Sequence, residues 1–273
     1  MNIAQALAQA KTLGLVHLEA QNLLLHALGR DLHDRAWLVS HDLDEPSLDT
    51  LQAFNTLVQR RLQYEPLAYL TGSQDFHGLK LIVDQRVLVP RPDTETLVNW
   101  ALSLDLEQLQ VLDLGTGSGA IALALQHARP DWHVTGLDAS ADALAVASGN
   151  AQALSLRVNF VQGNWFAQLQ DKFDLIVSNP PYIAEDDPHL QALPSEPRMA
   201  LVSGVDGLDA IRHIIEQAPN HLNAGAWLLL EHGFDQAAVV CDKLAQRGFT
   251  KVQSRVDLAG IQRCSGGQWS EVK

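Results

Sequence analysis

Apolar residues recur at helical spacing over the first 64 positions and gather into short strand-type runs after about residue 110. In the first part, Ile3, Ala6, Leu7 and Ala10 share one helix face. Leu18, Leu24, Leu25 and Leu28 share a second that stops at Gly29, and Leu51, Phe54, Val58 and Leu62 recur after a start signal at Pro46-Ser47. These stripes predict a small helical bundle. Pro66, Gly72 and Gly78 then break the helical pattern, and the runs 79–83 and 87–89 around Asp84-Gln85 predict a β-hairpin. Pro90-Arg91-Pro92-Asp93-Thr94-Glu95 follows as a stiff turn into a helix with Asp93 as its N-cap, with Arg91 and Glu95 as candidates to face a ligand.

Strands are predicted at 110–114, 133–138, 158–162, 173–178 and 226–231, with helices at 120–126, 141–152, 208–217 and 236–246 between or after them. Alternation of this kind gives a doubly wound, mostly parallel α/β sheet. The segments 251–256 and 261–264 have no helix between them and predict an antiparallel pair at one edge. Residues 183–207, rich in Pro, Asp and Glu, form a long loop of the kind used as a lid or binding loop. The expected division is a helical domain at 1–70, a hairpin linker at 71–90 and the α/β domain at 91–273.

Two strand ends bring chemistry. The run 174–178 stops in Asn179-Pro180-Pro181-Tyr182. The prolines lack an N–H and have fixed φ, so the chain leaves the strand in one extended shape with the carbonyls of Asn179 and Pro180 unpaired. With the Asn179 side-chain oxygen they form a set of acceptors suited to a planar NH2 group, whose face Tyr182, with Pro181, can cover. That describes a carboxamide or an exocyclic base amine. A tight turn after a buried strand is the plain alternative.

The second is Asp113-Leu-Gly115-Thr116-Gly117-Ser118-Gly119, which runs from a strand into a helix, followed by Asp138 at the next strand end, 19 residues beyond Gly119. Alternate glycines let the backbone bend and approach a ligand, the helix offers its N-terminal amides, and Asp138 suits a ribose diol. A nicotinamide dehydrogenase fits those two features. The spacing Gly-x-Gly-x-Gly and the acid at Asp113 favour instead a cofactor with a cationic amino-acid end, such as S-adenosylmethionine. Beyond the third strand, Asn164 is placed to bond the adenine amine and Trp165 to stack on the ring, although Trp165 fits an ordinary core role equally well.

The formal net charge of −13, from 19 basic and 32 acidic residues, disfavours broad duplex binding. Cys241 and Cys264 are too far apart to suggest a disulfide framework or a zinc site, so no metal is expected. The absence of a basic leader and of any apolar run near 20 residues gives the expectation of a cytoplasmic, membrane-free protein.

Gly115 to Gly119, Asp138, Asn164-Trp165-Phe166 and Asn179-Pro-Pro-Tyr182 together resemble class I S-adenosylmethionine-dependent methyltransferases that alkylate planar nitrogen. More closely, Glu65-Pro66-Leu-Ala-Tyr69-Leu-Thr-Gly72, Val89-Pro-Arg-Pro-Asp-Thr-Glu95, Asn179-Pro-Pro-Tyr-Ile183, Glu196-Pro197 and Leu230-Glu-His-Gly233 resemble the PrmC/HemK family over nearly the whole chain. The resemblance implies a Rossmann-like class I methyltransferase fold and transfer of a methyl group to N5 of the glutamine in the Gly-Gly-Gln motif of class I peptide chain release factors, 1 and 2. S-adenosyl-L-methionine is then the cofactor and S-adenosyl-L-homocysteine the product. It implies that Gly115, Thr116, Gly117, Ser118, Gly119, Asp138, Asn164, Trp165 and Asn179 contact cofactor, that Asn179, Pro180, Pro181 and Tyr182 hold substrate, and that Asn179, Pro180 and Tyr182 serve catalysis. A monomer without stable nucleic-acid binding is expected.

The sequence departs from the family pattern in two places. Asn164 stands where Asp is frequent, and Cys264-Ser-Gly-Gly-Gln-Trp269 is atypical after Arg263. Gly266-Gly267-Gln268 spells the substrate's own motif, which at a chain end reads as coincidence. The alternative functions are an N6-adenine or N4-cytosine methyltransferase acting on nucleic acid, whose flipped base amine fits the same acceptors, and a non-catalytic cofactor-binding scaffold.

Overall fold

The computed structural model describes residues 1–104, 106–167 and 169–270; the last three residues of the expected 91–273 domain lie outside them. The chain divides into two units, Met1–Ser73 with Gln191–Ser195, and Gln74–Leu190 with Glu196–Lys273. No helix among the described residues is long and apolar enough to cross a membrane.

The first unit is helical: α1 Ile3–Thr12, α2 His17–Ala27, α3 Arg35–Ser40, α4 Leu48–Leu62 and α5 Leu67–Thr71. A reciprocal capping box starts α1, Asn2 Oδ1 accepting from Gln5 N at 2.9 Å and Gln5 Oε1 from Asn2 N at 3.0 Å. Ser47 Oγ likewise accepts from Thr50 N at the start of α4. The predicted stripes on α1 and α4 are buried, except that Leu62 only packs partly against the core. On α2 the stripe shifts: Ala20, Leu23, Leu24 and Leu25 are buried, and Leu18 is 46% exposed. Leu18 precedes Ala20 by two residues, about 200° around a helix, so both cannot face the same core.

The hairpin is β1 Ser73–Phe76 with β2 Leu79–Ile82, turning at His77-Gly78. Both turn residues have positive φ, 47° and 77°, the geometry that matches hairpin twist. The expected pairing of 79–83 with 87–89 is therefore incorrect: Asp84 Oδ1 accepts from Arg86 N and its carbonyl from Val87 N, which curls that segment into a turn. Asn150 holds β2 to the rest of its unit, Oδ1 accepting from Ile82 N at 2.7 Å and Nδ2 donating to the carbonyls of Ile82 and Ser118. The expected N-cap at Asp93 is corrected as well. A 3-10 turn at Pro92–Thr94 runs directly into α6 Glu95–Leu102, because Pro92 has its φ preset for the first turn and Arg91 before it is extended.

The α/β part comprises β3 Gln110–Leu114, α7 Ala120–Ala128, β4 His133–Asp138, α8 Ala141–Leu154, β5 Asn159–Gln162, β6 Phe173–Ser178, α9 Asp209–Gln217, β7 Leu222–Glu231, α10 Ala237–Arg247, β8 Phe249–Val256 and β9 Gln262–Trp269. The sheet order is β5-β4-β3-β6-β7-β9-β8. The first five of these strands are parallel; β9 is antiparallel to both its neighbours. The chain moves outward from β3 to β5 and returns at β6, so the carboxyl ends of β3 and β6 flank the switch point where such sheets bind ligands. The buried faces of β3, β6 and β7, with Leu112, Ile176 and Leu228, pack against Ile211, Ile214 and Val240 of the helices.

β9 contains the Gly-Gly-Gln triplet, and there the residues are structural. A Cβ on Gly266 would stand 2.5 Å from the Leu228 carbonyl and 2.6 Å from Leu229 Cδ2, and Gln268 Nε2 donates to the Gly225 carbonyl at 2.7 Å. The Leu228 carbonyl belongs to the strand beside it, so relief requires the ladder to move. Gly266→Ala is expected to destabilise the fold by about 2 kcal/mol or more, read as a lower urea midpoint.

At the end of β3 the Asp113 carboxyl is completely buried. Its Oδ2 accepts from Thr116 Oγ1 at 2.6 Å and from Ala122 N at 3.2 Å, closing the loop onto the start of α7, while Oδ1 has no partner. Burial pushes this carboxyl up to about 7, against the two hydrogen bonds. Between roughly pH 4 and pH 7 the folded protein thus keeps a proton that the unfolded chain has released, and stability falls as pH rises through that window. Asp113→Asn retains one oxygen for both donors. From about pH 5 to about pH 8, ligand-free wild type should lose roughly 2–3 kcal/mol more stability than the variant, measured by urea unfolding at both pH values.

Candidate functional site

A cavity of about 510 Å³ opens at the carboxyl ends of β3, β4 and β6. That volume suits a nucleoside-sized ligand. Its floor includes Gly115 and Gly117, both at positive φ, and a Cβ on either would project into open space. The cradle therefore exists because these positions carry no side chain.

Asp138 ends β4 on the cavity wall. Gly117 N donates to its Oδ2 and Ser140 N to its Oδ1, each at 2.9 Å, so two backbone amides fix the carboxylate while each oxygen keeps a further lone pair for a hydroxyl. Asn164 and Trp165 line the same cavity after β5. Trp165 holds a positive φ of 51°, uncommon for a bulky side chain, and its ring centroid lies 6.4 Å from that of His213 on α9, another lining residue.

At the end of β6, Asn179 and Pro181 line the cavity. Asn179 Nδ2 donates to Thr94 Oγ1 at 3.1 Å, which leaves the amide oxygen as the end available to the cavity. Thr94 is buried, and near it lies the buried Glu231 carboxyl at the end of β7. Tyr182 turns the same way: its phenol donates to Glu231 Oε1 at a long 3.4 Å, and its backbone carbonyl accepts from Gln236 Nε2 at 3.1 Å. Burial raises the Tyr182 phenol, so it stays protonated.

Seven of the residues singled out from sequence, Gly115, Gly117, Asp138, Asn164, Trp165, Asn179 and Pro181, thus meet around one cavity. Thr116, Ser118, Gly119, Pro180 and Tyr182 are not among its described lining residues. Thr116 bonds Asp113, the Ser118 carbonyl accepts from Asn150, and a Cβ on Gly119 would press on Leu123 and Ala147. These residues shape the loop from behind. Arg91 and Glu95 also face elsewhere: Arg91 pairs with buried Glu196, which further accepts from Val89 N at 3.1 Å, and Glu95 Oε1 accepts from His77 N at 2.8 Å.

Other walls went unforeseen. Val87 and Leu88 form one, and Pro197, Met199 and Ala200 another, joined by the Glu196 bonds. The Arg91 and Glu196 motifs were visible in the sequence as opposite charges, without any sign that they pair. The segment 183–207 is ordered by its own backbone, Ile183 N donating to the Leu201 carbonyl and Ser203 N to the Ile183 carbonyl at 2.9 Å each. Among the described residues, no cluster of His, Cys, Asp and Glu is arranged to hold a metal ion.

Comparison with known proteins agrees with this layout. Residues 2–72 match the family model described as PrmC N-terminal domain, and residues 93–196 match the Methyltransferase small domain. A release factor glutamine methyltransferase of Bordetella pertussis is 49% identical over 262 residues, covering 93% of this chain and 95% of that protein. One from Xylella fastidiosa (strain Temecula1) is 47% identical over 269 residues, covering 96% and 97%. In fold, the chain is similar to a crystal structure of a methyltransferase from Pyrococcus furiosus, with a TM-score of 0.56 at 18% identity, over 71% of this chain and 90% of that one. With identity approaching one half over nearly its full length, the chain belongs to the release factor glutamine methyltransferase family.

Proposed function

We propose that this protein methylates N5 of the glutamine in the Gly-Gly-Gln motif of class I peptide chain release factors, converting S-adenosylmethionine to S-adenosylhomocysteine and supporting translation termination. The observation that carries this reading is the Asn179 carboxamide, whose nitrogen is committed to Thr94 so that its oxygen is offered to the cavity as an acceptor for an NH2 group.

The cavity fits the cofactor. The side-chain-free floor at Gly115 and Gly117 leaves room for it, Asp138 offers two fixed oxygens to the ribose hydroxyls, and Asn164 and Trp165 stand where an adenine amine and ring would be held. When bound, S-adenosylmethionine supplies an electrophilic sulfonium methyl. The work left to the protein is orientation. A glutamine amide nitrogen is a weak nucleophile because its lone pair is delocalised into the carbonyl. The Asn179 side-chain oxygen and the Pro180 carbonyl accept its two N–H bonds, turn the nitrogen's face toward the reacting carbon and stabilise the positive charge that develops on nitrogen. The Pro180-Pro181 pair fixes the backbone that presents these groups, and Tyr182 supports it from behind. No strong base is needed before transfer, since the alkylated nitrogen is acidic and releases its proton afterwards.

Within this reading, residues 1–70 recognise the release factor, the hairpin segment 71–90 links them to the catalytic domain 91–273, and the protein acts as a cytoplasmic monomer. A base amine on nucleic acid fits the same acceptors, but the formal charge of −13 opposes a polyanionic substrate. The decisive experiment supplies labelled S-adenosylmethionine with a purified class I release factor, the same factor with its Gly-Gly-Gln glutamine replaced by Ala, and single-stranded and duplex nucleic acid. Label on the wild-type factor alone is expected; label on nucleic acid alone would refute the reading.

Two substitutions separate the roles of the residues. Asn179→Ala should lower kcat by about 10² or more with little change in cofactor Kd, in steady-state assays paired with calorimetry. Asp138→Ala should weaken cofactor binding by roughly 1–3 kcal/mol, and an unchanged Kd would remove it from the ribose site.

A further inference from the structure

The Asn179-Pro-Pro-Tyr182 run carries two residues without an N–H, so backbone donors cannot hold its middle. It is held where it leaves. Ile183 N donates to the Leu201 carbonyl at 2.9 Å, and the Tyr182 carbonyl accepts from Gln236 Nε2 at 3.1 Å. The second bond comes from a side chain 54 residues away, at the start of α10 beyond the end of β7. Pro181, next to Tyr182, lines the cavity; Gln236 is buried and is not among the described lining residues.

Gln236 is set in one orientation. A carboxamide has a donor end and an acceptor end of nearly equal size, so its partners choose its sense. Here both partners are backbone groups whose sense cannot change. Gly233 N, which only donates, meets Oε1 at 2.9 Å, and the Tyr182 carbonyl, which only accepts, meets Nε2. Gln236 N donates in addition to the Gly233 carbonyl at 3.1 Å, which closes the turn that carries the side chain. One amide thereby joins the turn after β7 to the exit from β6.

Gly207 abuts the same carbonyl. A Cβ there would clash with the Tyr182 oxygen and stand 2.9 Å from its carbonyl carbon and 3.0 Å from Gln236 Nε2, and φ at Gly207 is +74°. Only glycine leaves room for the bond. Between Asn179 and Tyr182 the fixed φ of two prolines leaves few soft torsions. A displacement of the Tyr182 carbonyl therefore passes back along the run to Pro180 and Asn179 instead of being absorbed.

We propose that Gln236 is a positioning residue for methyl transfer: its Nε2 bond to the Tyr182 carbonyl, in the space left by Gly207, fixes the exit of the run and through it the acceptors that orient the substrate NH2. The inference rests on the function proposed above and adds two residues behind the cavity lining. A glutamine that served only its own turn would need Oε1 alone, which gives the two ends of the amide separate tests.

The experiment measures kcat, KM, cofactor Kd and melting temperature for wild type, Gln236→Glu, Gln236→Leu, Gly207→Ala and the double variant Gln236→Leu/Gly207→Ala. Rates are taken relative to wild type on whichever amino substrate wild type labels, so that a wrong choice of substrate is seen in the wild-type assay and does not mask the role of Gln236. Gln236→Glu keeps an acceptor for Gly233 N and loses the donor to Tyr182. It should lower kcat about tenfold or more, with cofactor Kd within about twofold of wild type. Gln236→Leu loses both bonds and should lower kcat at least as much, with a further fall in melting temperature. Gly207→Ala should lower kcat as well, and in the double variant the two losses should fall well short of multiplying, because both changes act on one carbonyl. Wild-type kcat in Gln236→Glu with a loss confined to Gln236→Leu would reduce Gln236 to a support of its own turn and overturn the proposal. Losses that multiply in the double variant, or a loss in Gln236→Glu that appears equally in cofactor Kd, would overturn it too.

Discussion

The site depends first on the register between β3 and β6. Leu114 lies opposite Ser178, and Ser178 Oγ donates to the Leu114 carbonyl at 2.6 Å. The next residue on one strand is Gly115, where the glycine loop begins, and on the other Asn179, where the Asn-Pro-Pro-Tyr run begins. A slip of one residue would turn every side chain on β6 to the opposite face and separate the two walls of the cavity. The buried hydroxyl of Ser178 therefore ties the two strand ends at the point where they diverge into loops. Everything beyond, from the glycine cradle to the proline pair, is positioned by that tie.

A second constraint is the use of carboxylates as joints, three of them buried. Asp113 closes the glycine loop onto α7, Asp138 is gripped by two amides, Glu196 holds the segment after residue 195 to Val89 and Arg91, and Glu231 accepts from Tyr182. Acceptor-only groups suit this purpose because loops and strand ends have surplus N–H and O–H donors. They differ in how fully they are satisfied. Asp138 has both oxygens bonded, whereas Asp113 and Glu231 each keep one buried oxygen without a partner, and it is these two that burial drives toward neutrality. In Asp113 and Glu231 a charge is held against its surroundings.

The sequence was most legible where chemistry and periodicity coincide. The predicted limits 110–114, 133–138 and 173–178 match β3, β4 and β6, because strand-type runs that end in Asp113-Leu-Gly, Asp138 or Asn-Pro are bounded by their own chemistry. The hairpin was misplaced for the opposite reason. Its first strand, Ser-Gln-Asp-Phe, is polar, while Val87 and Val89 carry an apolar pattern that Asp84 bends into a turn. The ring of cavity residues was partly visible as motifs. The bonds of Asn179 to Thr94 and of Tyr182 to Glu231 were not, since the partners are 85 and 49 residues apart, and a threonine after Pro-Asp reads as the start of a helix. Hydrogen-bond direction leaves no trace in composition.

The acceptor geometry at Asn179 describes an NH2 group and does not by itself distinguish an amide from a base. The two substrates differ in what surrounds the nitrogen. A flipped base arrives attached to phosphates, each of which adds repulsion against a chain with formal charge −13, and its pairing and stacking must be broken first. A glutamine between small residues arrives on a neutral, flexible backbone that can be threaded into a cavity without desolvating charge. In the proposed function the acidic composition is a filter on substrates that the reacting groups would otherwise accept. Selectivity between amides has to come from the polypeptide around the glutamine, which the methyl-transfer site, built to hold one planar NH2, has no means to read.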